Sequence, residues 1–388
     1  MRSDGLREFM IGLVGASYSA GFMAGAWYGP RLLSRVGHIR AYAAAASLSA
    51  AATLFASWAD HELAWAFLRM ITGAAIAVMF AGVESWLSGL IKPEERGGVL
   101  GFYMVVTKAA LALGPFLAPA AAAPGALTVA GALIALSLTP IALTNQPAPP
   151  LPEPEPPRFK DLMDTAPAAV VAAFAAGVVN AGVLAIAPLY ASSHWGEAAA
   201  TPFVAAAVVG SLVLQWPAAK LSDRMDRRMV IAGLCVIAGL PALALAFAGE
   251  MMALGPAAAV FAVWGAGALS FYGIAVAHMA DRAAPAALTR STSGLLFVWA
   301  AGAIAGPPLM GLAAEAGGGA GLFFFAAIGA FGCAGYMLAR RKSREAAVER
   351  RGDGVGADQA TSVAASDLAY SGKTEPKPAP DAPSPQAP

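Results

Sequence analysis

The sequence predicts an all-α membrane protein whose helices form two pseudo-symmetric bundles. Three observations carry this. Of 388 residues, 58% are hydrophobic and only 13% charged, about half the charge of an ordinary soluble domain, and the mean hydropathy is +0.63. About eleven apolar stretches approach the ~20 residues that a helix needs to cross a bilayer. The loops between them alternate between basic and uncharged. So little charge cannot coat a soluble chain of this size, which excludes a soluble enzyme. The 25 basic and 24 acidic residues, net +1, leave no surplus to hold phosphate backbones, so no nucleic-acid partner is expected.

Taken in order, spans are expected at about 10–29, 41–58, 63–90, 97–121 and 124–144, then at 165–190, 201–220, 229–249, 252–279, 293–313 and 320–339. The first five form an N-terminal half, 1–144, and the last six a C-terminal half, 165–339. Between them, 145–164 holds the run QPAPPLPEPEPPRFK, whose proline density stops a helix and reads as a stiff linker. Residues 340–388 open on RRKSREAAVERR and become rich in Pro, Ala, Ser and Asp. That composition buries too little apolar surface to fold and reads as a disordered tail. Cys235 and Cys333 lie inside apolar stretches and read as packing residues, not as a disulfide framework or metal cluster. No metal or other cofactor is expected.

Basic residues orient the spans. Arg31, Arg35 and Arg40, then Lys92 and Arg96, Arg158 and Lys160, Lys220, Arg224, Arg227 and Arg228, and Arg282 and Arg290 all fall in loops on one side. The intervening loops hold no Lys or Arg. The positive-inside rule makes the basic side, with linker and tail, cytoplasmic. Arg2 and Arg7, ahead of the first span, fall on the other side.

The chain also repeats. A shift of 194 residues lays Gly73 on Gly267, Glu84 on His278 and Arg96 on Arg290, and a shift of 189 lays Gly21 on Gly210 and Arg31 on Lys220. Two parallel repeats joined by a cytoplasmic linker are a recurring transporter design.

The loops PRLLSRVGHIR (30–40) and KLSDRMDRR (220–228) resemble the loop signature of the major facilitator superfamily (MFS), Gly-x-x-x-Asp-Arg-x-Gly-Arg, and RMITG (Arg69 to Gly73) resembles its Arg-x-x-x-Gly pattern. VESWL (83–87), RGGVLGFYMVV (96–106), LQWPAAKLSDR (214–224) and the GPP at 306–308 resemble the YcaD-like branch in particular. The resemblance covers about residues 8–340. It implies the MFS general transporter fold, twelve helices being expected for the family. The span at 10–29 matches the family's second helix, so the first is expected to lie upstream of Met1. Pro30 and Ser34 replace the Gly and Asp of the first loop signature, and Ala219 and Asp226 replace glycines of the second. Arg35 and Gly37 retain part of the first pattern, and Asp223, Arg224 and Arg227 most of the second.

Charged or polar groups inside spans are costly and mark function. Arg69, Lys108, Asn180 and Tyr272 are the expected contacts to a solute in a central cavity that the resemblance implies. Glu84, about eight residues from the basic end, and its repeat partner His278, at similar depth, are expected to gate it or couple a proton, because histidine titrates near neutral pH. Asp281 and Arg282 read first as a solvated pair at a helix end, with a gating role as the second reading. The resulting expectation is a monomeric secondary transporter of a bacterial inner membrane, moving a small organic solute with a proton, outward by preference. No nucleotide-binding run or histidine-carboxylate cluster points to an enzyme. The degraded first loop leaves a second reading open, a transporter-derived sensor or non-transporting remnant.

Overall fold

The computed structural model describes residues 8–90, 125–144, 158–284 and 287–343, together with scattered positions between 99 and 116. Lys108, most of the expected span at 97–121, the proline-rich run and nearly all of the tail lie outside the described residues. Those described are helical throughout, with no strand. The α-helices longer than the short Leu138–Ala142 turn are α1 (Glu8–Val36), α2 (His38–Phe55), α3 (Glu62–Leu90), α4 (Gly125–Leu136), α5 (Phe159–Thr165), α6 (Pro167–Ala176), α7 (Gly182–Trp195), α8 (Ala200–Arg224), α9 (Arg227–Ala248), α10 (Leu254–Ala268), α11 (Phe271–Arg282) and α12 (Leu288–Ser343). Nine stretches among the described residues are long and apolar enough to cross a membrane. Large apolar side chains such as Val213, Leu240 and Phe247 face outward. A belt of that kind is costly in water and natural against lipid tails. The chain is a multi-pass membrane protein.

Local chemistry explains the joints. Gly37 joins α1 to α2 at φ 84°, a conformation that side chains with a Cβ rarely adopt. α1 runs through Pro30 to Val36, beyond the expected end near residue 29, and Arg31 donates to the Trp27 carbonyl within this stretch. Pro167 opens α6, where its missing N–H costs nothing. A single wider turn of π-helix, Gly177–Ala181, links α6 to α7. The expected span at 252–279 is interrupted at Leu269–Ser270, which separates α10 from α11. α12 bends at Gly317 and Gly318, giving the two arms expected at 293–313 and 320–339.

Packing repeats between the two ends of the chain. In α1 and α3, a Cβ on Gly21 would strike the Met70 carbonyl, and one on Gly73 the Tyr18 carbonyl. In α8 and α10, Gly210 meets Ala262 and Gly265 meets Ala207 in the same way. Small residues let helix backbones approach this closely where lipid supplies no hydrophobic driving force. Arg31 over the Trp27 ring at 5.5 Å likewise matches Lys220 over Trp216 at 3.7 Å. These pairs support the 189-residue register of α1 on α8. The contacts place Gly73 opposite Gly265, however, two residues short of the Gly267 that the sequence repeat selects. The two turn residues Leu269–Ser270 equal that difference in length.

Buried apolar residues fall into three clusters. One joins Leu33, Tyr42, Val78 and their neighbours in α1–α3. The fully buried members of the other two all come from Leu162 onward and include Cys235, Cys333 and Trp264, with Ile11 of α1 packed against one of them. Among the described residues, α1 carries nearly all the contacts between these two sets, chiefly to α12 and also to α7.

Candidate functional site

The α1–α12 seam is uneven along its length. Away from the basic loops it is tight. A Cβ on Gly12 would strike the Pro307 carbonyl, Gly311 sits against Glu8, and the Phe9 amide donates to Glu315 Oε1 at 3.0 Å. Toward the basic end the seam carries a contact between aromatic rings, Trp27 against Phe297 edge-on at 5.5 Å. The two sets therefore meet backbone to backbone at one end and ring to ring at the other.

Arg69 lies on α3 seven residues after Glu62, roughly 10 Å along the helix from its start. Its guanidinium stands 4.6 Å from the centre of the Tyr18 ring on α1, which itself stacks on Phe22. The neighbouring Gly73–Tyr18 contact brings the two helices close enough for this. No carboxylate pairs with Arg69 among the described residues. Farther along α3, Glu84 is buried and accepts from the Tyr103 hydroxyl at 3.5 Å.

Asn180 sits in the π-turn, its side-chain oxygen buried without a hydrogen-bond partner among the described residues. Tyr272, two residues beyond the break in α10–α11, also buries its hydroxyl without a partner among the described residues, and its ring lies 6.0 Å from Trp299. An unmet buried polar atom costs about 1–3 kcal/mol. Each thus keeps hydrogen-bonding capacity free at a point where its helix departs from regular geometry.

At the basic end Arg227 donates to Asp281 through Nε at 2.6 Å and Nη2 at 3.3 Å, and to Asp223 and Ser222 through Nη1. Asp281 is thus clamped across to the start of α9, and the expectation of a solvated pair with Arg282 does not hold for it. Asp226 caps α9 by accepting from the Arg228 amide at 3.0 Å, and its carboxylate also takes Arg228 Nη2 at 2.8 Å. Burial alone would raise the Asp226 pKa, but the Arg228 bonds outweigh it and hold the carboxyl below its ordinary value of 3.8. Arg228, 3% exposed, donates its remaining Nη1 to the Arg340 carbonyl at 2.9 Å. His278 is buried beside this group and lines a crevice with Arg228, Arg282 and Arg340. Arg224 and Arg35 are exposed, and Gly37 makes the turn already described.

The structure therefore gathers Asp223 and Arg227 with Asp281, and gives Glu84 and His278 different neighbours, Tyr103 for one and the arginine group for the other. Arg69, Asn180 and Tyr272 sit on three separate elements. Sequence reasoning missed Tyr18, the partner of Arg69, and the Asp226–Arg228 clamp. It also missed His38, 3% exposed with Nε2 3.1 Å from Ser85 Oγ. A signal existed for Asp226, which precedes two arginines and a helix in cap position. Nothing local marks Tyr18, since its role depends on how α1 meets α3.

Comparison with known proteins gives one consistent picture. The profile of the Major Facilitator Superfamily matches residues 1–300 and 170–378. An MFS-type transporter of Yersinia pestis (strain Pestoides F) is 25% identical over 313 residues, covering 79% of this chain and 80% of that one. The MFS-type transporter YcaD of Escherichia fergusonii is 24% identical over 308 residues, with 78% and 79% covered. Among solved structures, a bacterial homologue of the human lysosomal transporter Spinster, inward-facing and occupied, superposes with TM-score 0.68 at 15% identity, covering 87% of this chain and 90% of that one. The nucleoside transporter NupG gives 0.65 at 13%, with 86% and 91% covered, and FucP in the outward conformation 0.54 at 15%, with 88% and 92% covered.

Proposed function

Because the chain belongs to the Major Facilitator Superfamily, we propose that it carries a small organic solute across a bacterial inner membrane by alternating access, coupled to a proton and directed outward. The uneven α1–α12 seam is the observation that carries this reading. Glycine contacts at one end form a tight closure, while the ring-to-ring contact at the basic end can separate by side-chain movement with less disruption of packed backbone. Rocking of the N-terminal half, 1–144, against the C-terminal half, 165–339, about this seam would expose a central site to each side in turn. The positive-inside pattern puts the basic end, the linker and the tail in the cytoplasm.

In this reading Arg69 is the principal solute contact, offering a guanidinium that no carboxylate among the described residues neutralises. Asn180 and Tyr272 supply an amide oxygen and a phenol, and Lys108 an ammonium from the span at 97–121. Glu84 is the proton-accepting carboxylate, and His278 answers movements of the basic end through the charges beside it. The loop residues Arg35, Gly37, Asp223, Arg224 and Arg227 restrain the closed and open arrangements, with Arg227–Asp281 the bond that must yield when the basic end moves.

The test is reconstitution in vesicles carrying an internal pH dye, challenged with a panel of small organic solutes. Proton flux that follows one solute, lost about tenfold or more in Arg69→Ala, is the expected result, since one transition-state contact is worth about that factor. Glu84→Gln is expected to keep solute exchange and lose net proton flux. A solute that binds the purified chain and never crosses the membrane would instead favour the sensor or remnant reading.

A further inference from the structure

Arg69 is the one lysine or arginine among the described residues that lies away from the basic loops. Its guanidinium is held over the Tyr18 ring at 4.6 Å, and that ring stacks in turn on Phe22. Contact with a ring face is electrostatic and leaves the five guanidinium N–H donors without acceptors. Among the described residues none of those donors enters a hydrogen bond or an ion pair, and the Tyr18 hydroxyl makes no hydrogen bond either. Both side chains are half-buried, so a solute can still reach them.

A second, independent observation is the charge at the two ends of the molecule. The helix ends and turns on the side away from the basic loops hold Asp60, Glu62, Glu197, Glu250 and Glu315, with no lysine or arginine. An anion drawn in at the basic face therefore meets Arg69 as the last cation among the described residues before an acidic rim. The planar guanidinium fork matches the two oxygens of a carboxylate. Tyr18 and Phe22 beside it offer ring surface and no charge, which suits an apolar body behind a single negative group.

We propose that the solute held by Arg69 is an organic anion, one carboxylate on an apolar body, taken up at the basic face and released at the acidic one. This rests on the transport reading above and narrows its class of solute. The guanidinium takes both carboxylate oxygens, Tyr18 steadies the guanidinium from one face, and the Tyr18 hydroxyl is a further donor. The carboxylate in turn supplies the counter-charge that Arg69 lacks among the described residues. A membrane potential negative inside drives an anion in the same outward direction.

The test is thermal unfolding of the full chain in detergent, titrated with benzoate, phenylacetate and octanoate and with the neutral amide and the amine of each. At least one carboxylate is expected to raise the transition temperature at concentrations where its amide and amine do nothing. Arg69→Gln should raise the half-effect concentration about tenfold or more, the loss of a hydrogen-bonded charge pair. Arg69→Lys, which keeps the charge and loses the fork, should fall between. Should Arg69→Gln fold poorly, Tyr18→Phe gives the same reading, an increase of about fivefold for one neutral hydrogen bond. Arg40→Gln, an exposed arginine at the basic end, should leave the titration unchanged. No response to any of the carboxylates, an equal response to their amides, or a response that survives in Arg69→Gln would overturn the proposal. The vesicle assay separates it from the transport reading. Amides or amines that cross while carboxylates neither bind nor cross would leave transport standing and remove the anion. Carboxylates that bind through Arg69 and never cross would keep the anion site and remove transport.

Discussion

Arg69 and Asp226 show two opposite uses of charge. Arg69 sits on an aromatic face worth about 0.5–2 kcal/mol, against a placement cost somewhat below the about 2.5–3.5 kcal/mol of an arginine at the centre of a membrane helix, since it lies in the first third of α3. Arg69→Met should therefore leave the transition temperature unchanged or raise it while abolishing solute flux, as thermal melts and the vesicle assay would show. Asp226 does the reverse, stabilising the start of α9 and neutralising a buried arginine. Its folded pKa lies below its unfolded one, so its contribution is complete above the ordinary carboxylate range and fades as pH falls through the lower folded value. Asp226→Asn should cost about 2–3 kcal/mol at neutral pH, somewhat under the loss of a fully buried pair, and flatten the acid limb of a stability-against-pH curve. Arg69 was legible because a charge inside an apolar span stands out. Tyr18 was not, since an aromatic residue in a membrane span carries no mark until α3 is seen to press Gly73 against its backbone.

The elements were read well in position and less well in shape. The expected span at 63–90 and helix α3 nearly coincide, because uninterrupted apolar sequence flanked by polar residues leaves little choice of boundary. The Leu269–Ser270 break and the π-turn at Gly177–Ala181 were invisible, as neither contains a proline and both answer to packing partners distant in sequence. The same break equals in length the two residues by which a gapless 194-residue repeat misplaced Gly73. Close backbone contact predicts sharp intolerance at its glycines. Gly73→Val and Gly265→Val should each destabilise by about 3 kcal/mol or more, since backbone carbonyls cannot yield as side chains do. Gly332→Ala, with nothing within 4 Å of the added carbon, should gain up to about 1 kcal/mol from helix propensity. Melting temperatures of the three variants check the contrast.

Across the molecule, the account rests on one asymmetry, a glycine-tight closure at the end away from the basic loops and a ring-to-ring contact at the basic end. Two copies of one helix-pair motif, α1 with α3 and α8 with α10, form the frames that would rock. The most direct measurement is the distance between these frames in lipid nanodiscs, by pulsed electron spin resonance on chains in which Cys235 and Cys333 are replaced by alanine. One label pair, Val36→Cys with Met225→Cys, reports the basic end, and another, Leu63→Cys with Met251→Cys, the opposite end; all four side chains are exposed. Across pH 5 to 8 and the solute panel, the account predicts two distances at each end whose populations change in opposite senses. A single unchanging distance at both ends would contradict alternating access by this chain.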